Sequence, residues 1–119
     1  MKKLRLLVVD DEESIRIALS RWFESSGFDV DLAEDGLVAV EKCQANEYDA
    51  VTMDLEMPRM RGAEAVQHIR RLWPNLPVIV LTAHAEAHQE AADLDVSCVL
   101  AKPTSLNDLE REVRTAIGA

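Results

Sequence analysis

Basic residues are scarce in this chain of 119: 13 Lys and Arg stand against 22 Asp and Glu, a formal charge of −9. A surface with that excess repels phosphate backbones, which disfavours nucleic acid as a direct ligand. Cysteine is scarcer still. Cys43 and Cys98 form no CxxC and no Cys/His metal cluster, cannot build a disulfide framework, and read as small apolar groups. With 4 glycines in all, "DDEES" stands where a dinucleotide-binding domain would need its GxGxxG turn. No apolar run is long enough to span a bilayer. The basic start, Met1 to Arg5, is followed only by Leu6, Leu7, Val8 and Val9 before Asp10, too short a run for a secretion signal. One cytoplasmic domain over residues 1–119, with no membrane partner, is the expectation.

What is present is a repeated alternation. Short apolar runs rich in β-branched residues, at Leu4–Val9, 29–33, 50–53, 78–81 and 97–101, alternate with segments of helical spacing. That pattern implies βα units around a parallel sheet, an α/β fold with helices on both faces. Ile15, Ala18, Leu19, Trp22 and Phe23 fall on one helix face, and Gly27 suits the end of that helix. Asp35 suits the cap of a second helix carrying Leu37, Val40 and Cys43. A third, after Gly62, presents Ala63, Val66, Ile69 and Trp73 and stops at Pro74. The last helix opens on Ser105 with Asp108 three residues on, and places Leu106, Leu109, Val113 and Ala116 on one face. Between the fourth and fifth strands, residues 83–95 ("AHAEAHQEAADLD") favour a fourth helix, but Leu94 is its only large apolar side chain. A helix over 85–94 would be thinly anchored and of low local stability.

Polar residues follow the strands at one end: Asp10 and Asp11 after the first, Asp54 after the third, Thr82 after the fourth, Lys102 after the fifth. In an open parallel sheet the carboxyl ends share one edge, where ligands bind. Residues 8–13, "VVDDEE", set four carboxylates together with no cation beside them, and adjacent like charges repel. Carboxylate oxygens without imidazole or thiolate suit a hard cation, Mg²⁺ best of all. Such an ion would offset the repulsion and leave one carboxylate able to attack phosphorus. Glu12 and Glu13 read as favouring the positive end of the following helix. His68 and His88 read as solvent-facing, Met53, Met57 and Met60 as packing, and Trp22 and Trp73 as core-facing.

"VVDDEE", "VTMDLEMPRMRG", "VIVLTA" and "VLAKP", in that order and spacing, resemble the receiver domains of two-component response regulators over essentially the whole chain. The resemblance implies a flavodoxin-like five-stranded sheet in the order 2-1-3-4-5. It implies Asp54 as the phosphoacceptor, phosphorylated from a sensor histidine kinase, a phosphotransfer protein or a small phosphodonor. Asp11 and Asp54 would hold Mg²⁺ directly, with the backbone carbonyl of Glu56, and Asp10 would reach it through water. Thr82 and Lys102 would contact the phosphoryl group, with Ala83 and Pro103 beside them in the same phosphate-contact and switch set. Movement of Thr82 would reshape the face formed by the fourth helix, fifth strand and last helix, which an output domain or protein reads; a homodimer is one such arrangement. Glu56 and His84 occupy positions that tune phosphoryl lifetime in the family, and could meet over the site.

Several positions depart from the family pattern. Val99 stands where receivers usually carry Tyr or Phe, Arg61 where Asp is frequent, Asp95 where Gly is frequent, and Thr104 where Phe is frequent. Lys102 follows Thr82 by 20 positions, slightly few for the family. The chemistry is spared, and the departures cluster where the signal would pass. The expectation is therefore a signalling domain that catalyses its own phosphorylation and dephosphorylation but turns over no substrate. The alternatives are a degenerate receiver that binds partners without phosphate, and a haloacid-dehalogenase-like phosphatase. The latter needs a second Asp where Glu56 stands.

Overall fold

The computed structural model describes residues 3–57, 59–83 and 94–118. Strand β1 (Leu4–Val9) leads into α1 (Glu13–Ser25), β2 (Phe28–Ala33) into α2 (Gly36–Ala45), and β3 (Ala50–Asp54) into α3 (Gly62–Leu72). After β4 (Val78–Thr82) and β5 (Cys98–Ala101) the chain ends in α4 (Leu106–Ile117), the last helix. All pairings are parallel, and the sheet order is β2-β1-β3-β4-β5. This is the order and fold class expected. The helix expected over 85–94 lies, but for Leu94, outside the described residues, as do His84 and His88.

The strands β1, β3 and β4 are nearly continuous in apolar character because helices cover both their faces. Leu6, Leu7 and Val8 are fully buried, as are Val51, Met53, Val78, Ile79 and Val80. Alternation sorts them into two cores. Leu7, Val9, Val51, Met53, Val78 and Val80 pack with Ala39, Val40, Cys43, Ala65, Val66 and Ile69 from α2 and α3. Leu6, Val8, Ile79 and Leu81 pack with Leu19 and Phe23 of α1 and Leu109 and Val113 of α4. Phe23 meets Phe28 edge to face at 5.2 Å between ring centroids.

Local signals act as the residue types require. Gly27, at φ +97°, takes the left-handed position after α1, and the Asp35 carboxylate accepts from the Val38 N–H at 2.9 Å. The Ser105 hydroxyl accepts from the Asp108 N–H at 3.0 Å. Trp73 packs against the core and donates its indole N–H to the Cys43 carbonyl at 2.8 Å. Three expectations need correction. Leu37 points outward, and Ala39 takes its place in the core beside Val40 and Cys43, because the helix begins at Gly36 and sets the face by that start. Ala65 rather than Ala63 joins Val66 and Ile69 in the core. His68 is half-buried rather than solvent-facing.

Candidate functional site

The sheet register delivers the expected residues to one rim. Val9 pairs with Met53, Asp54 with Leu81, and Thr82 with Ala101, so Asp10, Asp54, Thr82 and Lys102 emerge at successive strand tips. Gly62 makes room behind them: a Cβ there would run into the Asp54 carbonyl and the Leu55 Cα, and the Gly62 N–H donates to the Leu55 carbonyl at 3.1 Å. Only glycine lets α3 start so close to the strand end.

Asp10 is 1 % exposed and fully engaged. One carboxylate oxygen, Oδ1, accepts from the Glu12 N–H at 2.9 Å, and Oδ2 accepts from the Lys102 ammonium at 3.1 Å. The same ammonium lies 3.4 Å from Asp54 Oδ2, while Asp54 Oδ1 accepts from the Glu56 N–H at 3.2 Å. Lys102 thus bridges two buried carboxylates with a side chain itself only 19 % exposed. The Lys102–Pro103 peptide is cis.

Two buried carboxylates share one ammonium, which leaves an excess of negative charge at the rim. Burial pushes the Asp54 carboxyl above the usual carboxylate range; Lys102 pulls it back, and Asp10 and Glu56 push it up further. Burial disfavours the Lys102 charge, but Asp54 and Asp10 together raise its pKa above the ordinary lysine value. Asp10, Asp11 and Glu12 also bring carboxylate oxygens within 4.8 Å of one another. An all-oxygen, electron-rich rim of this kind fits Mg²⁺. Glu12 belongs to that cluster as well as to the start of α1. Its signal in the sequence was the unbroken run of four carboxylates.

Thr82 is fully buried, and its hydroxyl donates to Glu56 Oε1 at 2.6 Å. The sequence did not anticipate this contact, which joins the loop after β3 to the end of β4. Val99 packs against the α2–α3 side of the core, and Arg70 holds the segment before β5 through the Asp95 carbonyl at 2.7 Å. Beside Lys102 an apolar groove of about 580 Å³ opens between α1 and the start of α4, lined by Ile15, Ala18, Leu19, Pro103, Leu106 and Leu109. On the other flank the Arg59 guanidinium binds the Asp35 carboxylate at 2.6 Å and ties the loop after β3 to the cap of α2.

The sequence model described as the response regulator receiver domain matches residues 6–114. The response regulator MprA of Mycobacterium sp. (strain KMS) is 36% identical over 116 residues, 96% of this chain and 50% of that protein. MprA of Mycobacterium leprae (strain TN) is 34% identical over the same share of this chain and 51% of its own length. The chain therefore spans about half the length of these curated relatives. Among solved structures, the receiver domain of the sensor histidine kinase PA1611 from Pseudomonas aeruginosa PAO1, with a magnesium ion coordinated in its active-site cleft, is 29% identical with a TM-score of 0.92, covering 99% of this chain and 100% of that one. The response regulator TrrA from Thermotoga maritima, in complex with Mg²⁺ and beryllium fluoride, is 31% identical with a TM-score of 0.88, covering 95% and 98%.

Proposed function

This chain belongs to the response regulator receiver domain family, and from that premise we propose that it is a phosphorylation-dependent signalling domain whose Asp54 accepts a phosphoryl group. The observation that carries the reading is the Lys102 ammonium held between Asp10 at 3.1 Å and Asp54 at 3.4 Å. Such a cation beside a carboxylate nucleophile is placed to neutralise charge on an incoming phosphoryl oxygen.

Asp11 and Asp54, with the Glu56 backbone carbonyl, would hold Mg²⁺, and Asp10 would reach it through water. That ion, when bound, neutralises charge on the transferring phosphoryl group. An Asp54 carboxylate oxygen attacks phosphorus, the phosphorus–nitrogen bond to the donor histidine breaks, and its electron pair stays on the imidazole. The product is an aspartyl phosphate. The Glu56 N–H, donating to Asp54 Oδ1 at 3.2 Å, orients the carboxylate for this step. Lys102 follows the phosphoryl oxygens. The Thr82 hydroxyl then donates to them, with the chain at Ala83 and Pro103 completing the switch region.

A sensor histidine kinase or phosphotransfer protein supplies the phosphoryl group, and an output domain or protein reads the face that includes β5 and the last helix. Glu56, whose side chain reaches Thr82, would hinder or orient the water that hydrolyses the acyl phosphate, and His84, outside the described residues, would share that role. The side chains of Asp10, Asp54, Thr82 and Lys102 favour this reading over a phosphate-independent module.

Incubation with Mg²⁺ and acetyl phosphate, followed by intact mass measurement, tests it. One added phosphoryl group, absent when Mg²⁺ is chelated before acetyl phosphate is added, supports the proposal. No added mass, or steady hydrolysis of acetyl phosphate without an adduct, overturns it.

A further inference from the structure

Parallel pairing of β3 and β4 brings the residue two past Asp54 against the last residue of β4. Asp54 pairs with Leu81, and the Leu55 N–H donates to the Leu81 carbonyl at 3.2 Å, which fixes the loop after β3 over Thr82. The resulting 2.6 Å contact from the Thr82 hydroxyl to Glu56 Oε1 has the length of a hydrogen bond to an ionised acceptor. It is made by a side chain with no exposure to water. A hydroxyl carries a single proton to donate. On the reading of Asp54 as phosphoacceptor, on which this inference rests, the same proton is required by the phosphoryl oxygens.

We propose that Glu56 is a positioning residue that competes with the phosphoryl group for the Thr82 hydroxyl and so holds Thr82 in its pre-phosphorylation arrangement. The carboxylate sets a threshold: the group on Asp54 must draw the proton from an anion rather than from water or a neutral acceptor. Transfer of the hydrogen bond takes this donor from Glu56, and the loss of that contact is subtracted from the coupling between Asp54 and the output face.

Fluoroberyllate with Mg²⁺ serves as the probe of the phosphorylated state, and its binding is followed by ¹⁹F NMR in the wild type, Glu56→Ala, Glu56→Gln, Thr82→Ala and the two double variants. Removal of a nearby negative charge would tighten anion binding whether or not Thr82 is present, so the Thr82→Ala background isolates the competition. The expected result is that Glu56→Ala tightens the apparent Kd more in the Thr82 background than in Thr82→Ala, the excess being about threefold or more. Glu56→Gln, which keeps the shape but offers a neutral acceptor, gives an excess of the same sign and smaller size, and it carries the test alone if Glu56→Ala does not fold. Equal tightening in both backgrounds, or none, overturns the proposal. A wild type that takes up no fluoroberyllate with Mg²⁺ overturns the phosphoacceptor reading and the competition with it, and is distinguished by the loss of binding in every variant.

Discussion

The Lys102 ammonium donates to Asp10 Oδ2 at 3.1 Å across 92 residues of sequence, joining the tip of the first strand to the tip of the fifth. Neither side chain has a free choice of partner there. Asp10 is buried and already accepts from the Glu12 N–H, while Lys102 must also serve Asp54 at 3.4 Å. One cation divided between two desolvated carboxylates is a poor arrangement for stability and a good one for binding further positive charge. The site resembles other functional centres in holding groups together at a cost offset by the cores beneath them.

Asp54→Asn should therefore stabilise the metal-free protein while removing its activity. Burial and the Asp10 charge disfavour the Asp54 carboxylate, and an amide relieves both while keeping an oxygen for the Glu56 N–H. The expected gain is about 1 kcal/mol, or roughly 4 °C in Tm for a domain of this size. Added Mg²⁺ should raise the Tm of the wild type more than that of the variant. Thermal melts with and without Mg²⁺ check both, and a variant less stable than the metal-free wild type would contradict the charge imbalance.

The cap of α2 carries a pH dependence. Burial alone would raise the Asp35 carboxyl, but the Val38 N–H and the Arg59 guanidinium outweigh it and hold the group below the ordinary carboxylate value. The folded protein thus binds this proton less readily than the unfolded chain. Its contribution is complete above the unfolded value and is lost as pH falls through the lower folded value. Asp35→Asn keeps a capping oxygen and removes the charge, so the wild type should be the more stable at pH about 5 and above and lose that margin in stronger acid. Denaturation midpoints from pH about 2 to 6 give the comparison. A margin that grows on acidification would contradict the pairing. Asp35→Ala removes the cap as well and should cost about 0.5–2 kcal/mol.

Thr52 sits in the middle of β3 with its hydroxyl buried and, among the described residues, without a hydrogen-bond partner. An unsatisfied buried hydroxyl is costly, and valine has nearly the same shape. Thr52→Val should raise stability by about 1 kcal/mol, read as a shift of the urea midpoint at unchanged m. A lower midpoint would mean that the hydroxyl is satisfied.

The fold was legible because the apolar runs are clean: Leu6 to Val9 and Val78 to Leu81 admit few readings other than strands covered on both sides. The shared rim followed from strand direction alone, which is why Asp10, Asp54, Thr82 and Lys102 converge as expected. Less visible was anything decided by where a helix starts or where a loop is drawn. Leu37 and Ala39 exchange roles through the phase set at Gly36, which periodicity over 10 residues resolves poorly. The Glu56–Thr82 contact depends on the course of the loop after β3, in which Arg59 takes φ 63° and Gly62 packs against Asp54 and Leu55. Neither residue advertises that in sequence.

The most direct test of the central claim is to locate the phosphoryl group itself. After reaction with acetyl phosphate and Mg²⁺, borohydride reduction converts an aspartyl phosphate to homoserine, and peptide mass spectrometry reads the position. Homoserine at position 54, absent without Mg²⁺, is the predicted result. Homoserine at position 10 or 11 instead, or a phosphoryl group that resists reduction, would contradict the account.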